Sequence, residues 1–329
     1  MVAKTALMLA WFALSYYLLV FAAETWWQGI PCALSLALAI GGLAFCVQHD
    51  ANHGAYSVNP ATNRLLSKTL DLLGGSSYVW RFKHNIAHHT YTNLSGADSD
   101  IEIPFTRLSP AQPPHPRHRH QRIYVWALYA VFVPYWQFYE DFKQIVDGRI
   151  ARMRFPRPRG RQLLELLVGK LAFTCWALLV PMLFHPWWVV LLYYALVAAL
   201  LGVLLAVVFE LAHCAEDADF PRPHDETGSV DRPWAVHQVQ ATVDFAPSNR
   251  LLTWYVGGLN FQIEHHLFPK VCHVHYPQLA PIVRATCLEY GVRYTQARTF
   301  RQAFASHWRW LGHMARPLED GLPTSGENT

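Results

Sequence analysis

Charge is scarce in this chain: Asp, Glu, Lys and Arg supply 15% of its 329 residues, where a soluble domain carries about 25%. That shortage excludes a disordered polyampholyte, which needs polarity and charge to stay unfolded. Thiols are equally uninformative. The six Cys are scattered and form no CxxC pair, so neither a thioredoxin-type centre nor a disulfide scaffold is encoded. No haem or flavin motif is apparent, and glycine follows no collagen period. What the chain does have is apolar residues at 52%, aromatics at 14% and 18 His, with a mean hydropathy of +0.10. These values lie between a soluble protein and a pure membrane bundle, and histidine is the place to look for chemistry.

The apolar residues are concentrated in runs. Ala6 to Ala23 and Ile30 to Val47 are uncharged over eighteen residues each, and Leu163 to Phe184 and Trp187 to Phe209 over 22 and 23, save for Glu165 and Lys170 near the start of the third. A hydrocarbon core takes about 20 helical residues at 1.5 Å apiece, so each run is long enough to cross. Six residues, ETWWQG, join the first pair and a minimal turn at His185 and Pro186 joins the second. The expectation is two hairpins, with Glu165 and Lys170 snorkelling to the interface. Tyr124 to Tyr139, interrupted by Pro134 and followed by Glu140 and Asp141, reads as an interfacial or half-buried helix. The Arg-rich stretch from Arg149 to Arg161 flanks the membrane surface.

Lys and Arg number fifteen in residues 48–162 and ten in residues 210–329, with none in the two short turns. By the positive-inside rule both large polar segments and the N-terminus are cytoplasmic, and Trp26, Trp27, Trp187 and Trp188 mark the outer interface. The fold class expected is therefore an all-α membrane protein: four transmembrane helices in two hairpins under a cytoplasmic helical cap. One domain covers residues 1–316, and the polar tail 317–329 is expected to be disordered. The expected placement is a multi-pass integral membrane protein with its catalytic face and both termini in the cytoplasm.

Three histidine clusters stand out: His49 and His53 in HDANH; His84, His88 and His89 in HNIAHH; and Gln262, His265 and His266 in QIEHH. The first follows the second apolar run by two residues, and His213 follows the fourth by four, so an even-numbered topology delivers all of them to one side. Residues i and i+4 share a helix face, which lets His49 with His53, His84 with His88, and Gln262 with His265 and His266 each point one way. Eight imidazoles exceed what one iron or zinc ion takes, so two metals is the economical reading. Imidazole suits iron, copper or zinc, and a structural zinc would need no membrane. Iron with open positions, facing a hydrophobic substrate at the end of a membrane bundle, can use dioxygen to remove hydrogen from an alkyl chain. A metal-ion transporter is the competing class, but it predicts ligands near the bilayer midplane, whereas these histidines lie beyond the runs.

The motifs HDANHGAYS, HNIAHHTYTN and GGLNFQIEHHLFP, together with DSDIEIPFTRLSP and WAVHQVQATVDFAP, resemble those of the membrane fatty acid desaturases of the acyl-lipid or front-end type. The resemblance runs from about residue 30 to residue 285, and Gln262 in place of a first histidine is the usual front-end variant. It implies a diiron centre with His49, His53, His84, His88, His89, His213, His265 and His266 as ligands and Gln262 as a ligand or close neighbour. It also implies two iron ions as cofactor, dioxygen as co-substrate, and a fatty acyl substrate carried on a lipid, on CoA or on acyl carrier protein. Members of this type often carry an N-terminal cytochrome b5 domain with an HPGG motif. That motif is missing here, so electrons are expected from a ferredoxin or another external donor; membrane lipid is the remaining partner, and no nucleic acid is expected. A hydroxylase or acetylenase on the same scaffold would carry the same residues.

Carboxylates and further histidines complete the expectations. Glu210, three residues before His213, and Asp50, Asp98, Asp100, Asp244 and Glu264 are candidates to receive the second N–H of ligating imidazoles. His237 in WAVHQ is a candidate for a polar place next to the metal site. His273 and His275 are expected to be structural, and His115, His118 and His120, in a Pro/Arg-rich loop, solvated.

Overall fold

The computed structural model describes residues 1–222 and 230–316; the tail expected to be disordered lies outside them. Five helices organise the apolar part: α1 (Val2–Ala22), α2 (Trp26–His53), α3 (Gln121–Tyr135), α4 (Arg161–Met182) and α5 (Trp187–His213). All but α3 are long and apolar enough to cross a membrane. At the start of α2 the Gln28 side chain accepts from the Thr25 N–H at 3.1 Å, satisfying a donor that the first helical turn leaves free.

Helices α2 and α5 do not stop where the apolar runs stop. Each continues through the first polar residues that follow, α2 as far as His53 and α5 as far as His213. The histidines are therefore carried on rigid extensions of the long helices. The sequence boundaries at Val47 and Phe209 were set by hydropathy, but a helix ends where its backbone bonds end.

Small and polar residues hold these helices together. Trp11 Nε1 donates to Ser35 Oγ at 2.9 Å, and the Ser15 and Ser35 hydroxyls are 2.7 Å apart, tying α1 to α2. Helix α3 lays Val125, Tyr129 and Val133 against α5. A Cβ at Gly202 would come within 2.3 Å of the Tyr129 carbonyl oxygen, so this close approach requires glycine. The turns before α2 and α5 sit side by side, with the Tyr193 hydroxyl donating to the Trp26 carbonyl at 3.0 Å and the His185 ring 2.6 Å from the Val20 carbonyl. Trp26, Trp27, Trp187 and Trp188 at this end are exposed.

Lys170 corrects the snorkelling expectation. Its ammonium turns inward, donating to Asp141 Oδ2 at 2.7 Å, the Gln137 carbonyl at 2.7 Å and the Gly74 carbonyl at 2.6 Å. Three acceptors at once are worth more to a cation than the interface offers. Glu165 does stay near the surface, bonded to Lys68 at 2.8 Å and Arg161 at 2.8 Å.

The polar side is built from short helices, among them Trp234–Ala241, Gln262–Leu267, Tyr276–Glu289 and Phe300–Met314. A two-residue parallel ladder, Asp244–Phe245 with Gln296–Ala297, ties the third cluster's neighbourhood to the C-terminal helix. Arg107 is buried, and its guanidinium donates to the carbonyls of Gln112 at 2.8 Å, Met314 at 3.2 Å and Arg316 at 2.8 Å. A cation there complements the negative end of helix Phe300–Met314. His118 is also buried, with its Nδ1 accepting from the His115 N–H at 3.1 Å. The solvated reading therefore fails for His118 and holds for the exposed His115 and His120. All six Cys are free.

Candidate metal centre

Two π-wound stretches set the angles of the first two clusters. In α2 the turn Ala44–Gln48 is π-wound immediately before His49, and the second cluster lies on Arg81–His88, π-wound over eight residues. Winding of this kind bonds i to i+5 and widens the turn, so residues four and five apart both lie on one face. His84 and His89 meet there, with their Nε2 atoms 3.3 Å apart. His84 and His88 do share a face, as the i, i+4 spacing expects, with their rings stacked at 5.1 Å, but their donor atoms belong to different groups. In the third cluster the adjacent His265 and His266 rings stand nearly perpendicular, 5.4 Å apart.

The result is two groups with one ring between them. Donor atoms of His49, His53, His84 and His265 lie within 4.8 Å of one another, as do those of His88, His213 and His266. His89 groups with His265 and His266, its ring centroid 4.6 Å from the first and 4.2 Å from the second. All eight rings are buried. Gln262 lies beside His213 with its Oε1 unpartnered.

Several imidazoles are held from behind and left free in front. Nδ1 of His88 meets Asp98 Oδ2 at 3.0 Å, that of His265 meets the Tyr276 hydroxyl at 3.1 Å, and that of His266 meets the Gln238 amide at 2.9 Å. The Nε2 atoms of these three rings are buried with no partner, as are His53 Nε2, His89 Nδ1 and His213 Nδ1. Buried ring nitrogens without hydrogen bonds are costly, and so many converging on one volume fit metal ions with outer groups fixing each ring. Burial and the neighbouring imidazoles push His84, His89, His265 and His266 well below the ordinary histidine range. They are thus neutral, the state that binds metal. Burial also opposes charge on His88, but Asp98 outweighs it and raises that ring.

Asp50 reaches the centre by a longer chain. Its Oδ1 is 4.0 Å from His49 Nδ1, while Oδ2 accepts from His273 Nδ1 at 2.8 Å. Lys4 Nζ donates to His273 Nε2 at 2.9 Å, which fixes the proton of that ring on Nδ1. Asp244 hydrogen-bonds none of the eight imidazoles; it accepts the Ile263 N–H at 3.0 Å and the Tyr294 hydroxyl at 2.5 Å, bracing the backbone of the third cluster. Burial raises both Asp244 and its neighbour Glu264. His237 joins neither group and instead lies 2.8 Å from the Thr92 carbonyl. Glu210 is buried with Oε2 unpartnered and hydrogen-bonds none of the eight rings. Asp100 pairs with Lys83 at 3.1 Å.

Other residues emerged from the folded chain alone. Trp80 stacks on His84 at 4.3 Å and edges His49 and His53; Phe209 packs on His213 at 4.5 Å. The Asn93 amide donates to the carbonyls of His213 and Ala241, each at 2.9 Å, closing the end of α5. Its left-handed backbone, φ 58°, suits asparagine. The TYTN stretch after the second cluster carried this residue, and a tolerance for left-handed backbone was its one sequence signal.

A cavity of about 970 Å³ opens onto this centre. Its apolar wall includes Ile40, Val133 and Leu201; His49, His84, His213 and His265 face it; and Lys83, Asp100 and Glu140 stand at a polar rim. Lys83 bridges both rim carboxylates, 2.9 Å from Glu140, so ion pairs fix these side chains in place.

Known proteins match this sequence. The chain is 37% identical over 316 residues to the sn-1 linoleoyl-lipid 6-desaturase of Synechocystis sp., covering 95% of this chain and 88% of that one. It is 36% identical to the protein of the same name from Arthrospira platensis, over 95% and 85% of the two chains. It is 35% identical to the acyl-lipid (8-3)-desaturase of Physcomitrium patens, over 94% of this chain and 65% of that one. With the fatty acid desaturase model matching residues 24–298, which take in every histidine of both groups, the chain belongs to the fatty acid desaturase family and is an oxidoreductase.

Proposed function

We propose that this chain introduces a double bond into a lipid-bound fatty acyl chain with two iron ions held by His49, His53, His84, His88, His89, His213, His265 and His266. Gln262 is a ligand or close neighbour. The observation that carries the reading is the pair of connected histidine groups with unpartnered buried nitrogens on the wall of an apolar cavity. When bound, the irons supply dioxygen activation: two neighbouring C–H bonds become one C=C bond, and dioxygen takes two electrons and two protons from outside together with the two removed hydrogens to give two waters.

The protein's own work is positioning. Asp98, Tyr276 and Gln238 fix ring orientation from behind. Trp80 and Phe209 wall the rings with aromatic surface that keeps bulk water out. The cavity lays an alkyl segment along His49, His84 and His265, while the rim of Lys83, Asp100 and Glu140 faces the polar end of the substrate. Electrons come from a separate donor protein such as a ferredoxin. The chain crosses the membrane four times as two hairpins, with the histidine cap and both termini on the cytoplasmic side, a placement supported by the charge asymmetry of the loops. Asp50 and Asp244 brace the centre through His273 and the third-cluster backbone.

Expression in a host of known fatty acid pool, with an added electron donor and mass spectrometry of double-bond positions, tests this. New unsaturation dependent on the chain is expected. Its absence from an iron-loaded, membrane-inserted protein would overturn the assignment.

A further inference from the structure

We propose that Gln137 and Tyr194 form a gate at the inner end of the acyl cavity, and that a second apolar cavity behind it receives the methyl end of acyl chains too long for the first. The inference rests on the desaturase reading, since the chain that reaches the gate is that reaction's substrate. The second cavity, of about 530 Å³, lies among α1, α2, α4 and α5. The two cavities share wall residues Ile40, Leu73, Val133, Gln137 and Leu201. They are therefore neighbours separated by a single layer of side chains.

Within that layer Gln137 is the one polar residue. It is buried, on the π-wound turn Trp136–Glu140 that continues α3. Its Nε2 donates to the Leu73 carbonyl at 2.8 Å and its Oε1 accepts from the Tyr194 hydroxyl at 2.6 Å. Its own carbonyl accepts from Lys170 at 2.7 Å, so the backbone is fixed while the side chain hangs on two neutral bonds. An aliphatic side chain would fill this place with no polar group to satisfy; packing alone does not account for glutamine. A neutral hydrogen bond is a modest latch, and Tyr194 stands on the far side, lining the second cavity and not the first.

The occupant is an alkyl segment. Leu19, Val20, Leu36 and Val197 line the second cavity, and the shared wall makes it a continuation of the first. With the gate closed, Ile40, Val133, Leu201 and Gln137 limit how far the methyl end extends; with it open, the added space takes further methylenes and the position of the carboxyl end at the rim is unchanged.

The test is the chain-length profile of desaturated product, from an acyl series supplied to membranes containing the full chain and its electron donor. Tyr194→Phe removes one hydroxyl and keeps the ring, and Gln137→Ala opens the wall. In both, chains longer than the wild-type optimum should gain about 10-fold in relative turnover per methylene admitted, with the double bond at the same distance from the carboxyl end. Adding Ala177→Phe, which fills the second cavity, to either variant should return the profile to that of the wild type. An unchanged profile in an active Tyr194→Phe protein overturns the proposal, as does a lengthened profile that survives Ala177→Phe. Failure of the underlying reading looks different: the wild-type chain would then desaturate no chain of any length.

Discussion

Asp98→Asn isolates the support behind one metal-facing ring. Asp98 is fully buried, and its Oδ2 both meets His88 Nδ1 at 3.0 Å and accepts the Asn93 N–H at 2.9 Å. Its Oδ1 accepts the Asp100 N–H at 3.0 Å. Asparagine keeps the shape and one acceptor oxygen. It therefore retains part of the backbone clasp but loses the charge behind His88. Loss of such a partner costs about 10- to 100-fold in metal affinity, or about 1.4 to 2.7 kcal/mol. If the clasp were also lost, each buried N–H left without a partner would cost a further 1–3 kcal/mol or so in folding stability. The two effects separate experimentally. Iron retained during titration with a chelator reports the first, and the thermal midpoint of the metal-free protein in detergent reports the second. The expected outcome is faster iron loss at a near-normal midpoint. Wild-type iron retention in Asp98→Asn would refute the reasoning that the carboxylate tunes this ring.

Three further outcomes follow from the packing. His307 is buried, with Nδ1 2.7 Å from the Cys214 carbonyl and Nε2 3.1 Å from the Tyr129 hydroxyl, and burial lowers it from 6.5 to about 4. An imidazole that stays neutral when folded but protonates when unfolded takes stability away as pH falls from 6.5 to 4, by about 3 kcal/mol in all; melting curves of wild type and His307→Gln should converge in their pH dependence if another group is responsible, and diverge if His307 is. Lys170→Met leaves Asp141 buried without its cation, an uncompensated charge worth about 3–5 kcal/mol, and Lys170→Met with Asp141→Leu should recover most of the lost thermal stability; no recovery would show that the pair is not the cause. Cysteines at Gln28 and Ala111 in a Cys-free background should label with an impermeant thiol reagent from opposite sides of the membrane, and labelling of both from one side would contradict the four-crossing arrangement.

The histidines were legible because their motifs are local in sequence and the apolar runs before His49 and His213 are unmistakable. How they divide was not. A period of 3.6 placed His84 and His88 on one face, where their rings do stack, but it did not show that their donors fall in different groups or that the π-wound Arg81–His88 also brings His89 to His84, and nothing in residue identity announces the winding. Partners behind the rings were legible by type alone: Asp98 was one carboxylate among six candidates, and Tyr276 and Gln238 come from segments that meet the rings only after folding. Lys170 was misread for a similar reason, since hydropathy records a cation in an apolar run but not Asp141 across from it. His118 looked solvated because its neighbours are Pro and Arg, yet the loop turns it inward.

The central claim is that two connected histidine groups hold two irons. Metal analysis of the purified protein tests it most directly, alongside His84→Ala and His265→Ala, which remove one donor each from the group of His49, His53, His84 and His265. The account predicts close to two irons per chain in the wild type, and loss of iron and of desaturation in both variants, which remain membrane-inserted. One iron per chain, or full iron and activity in both variants, would contradict it.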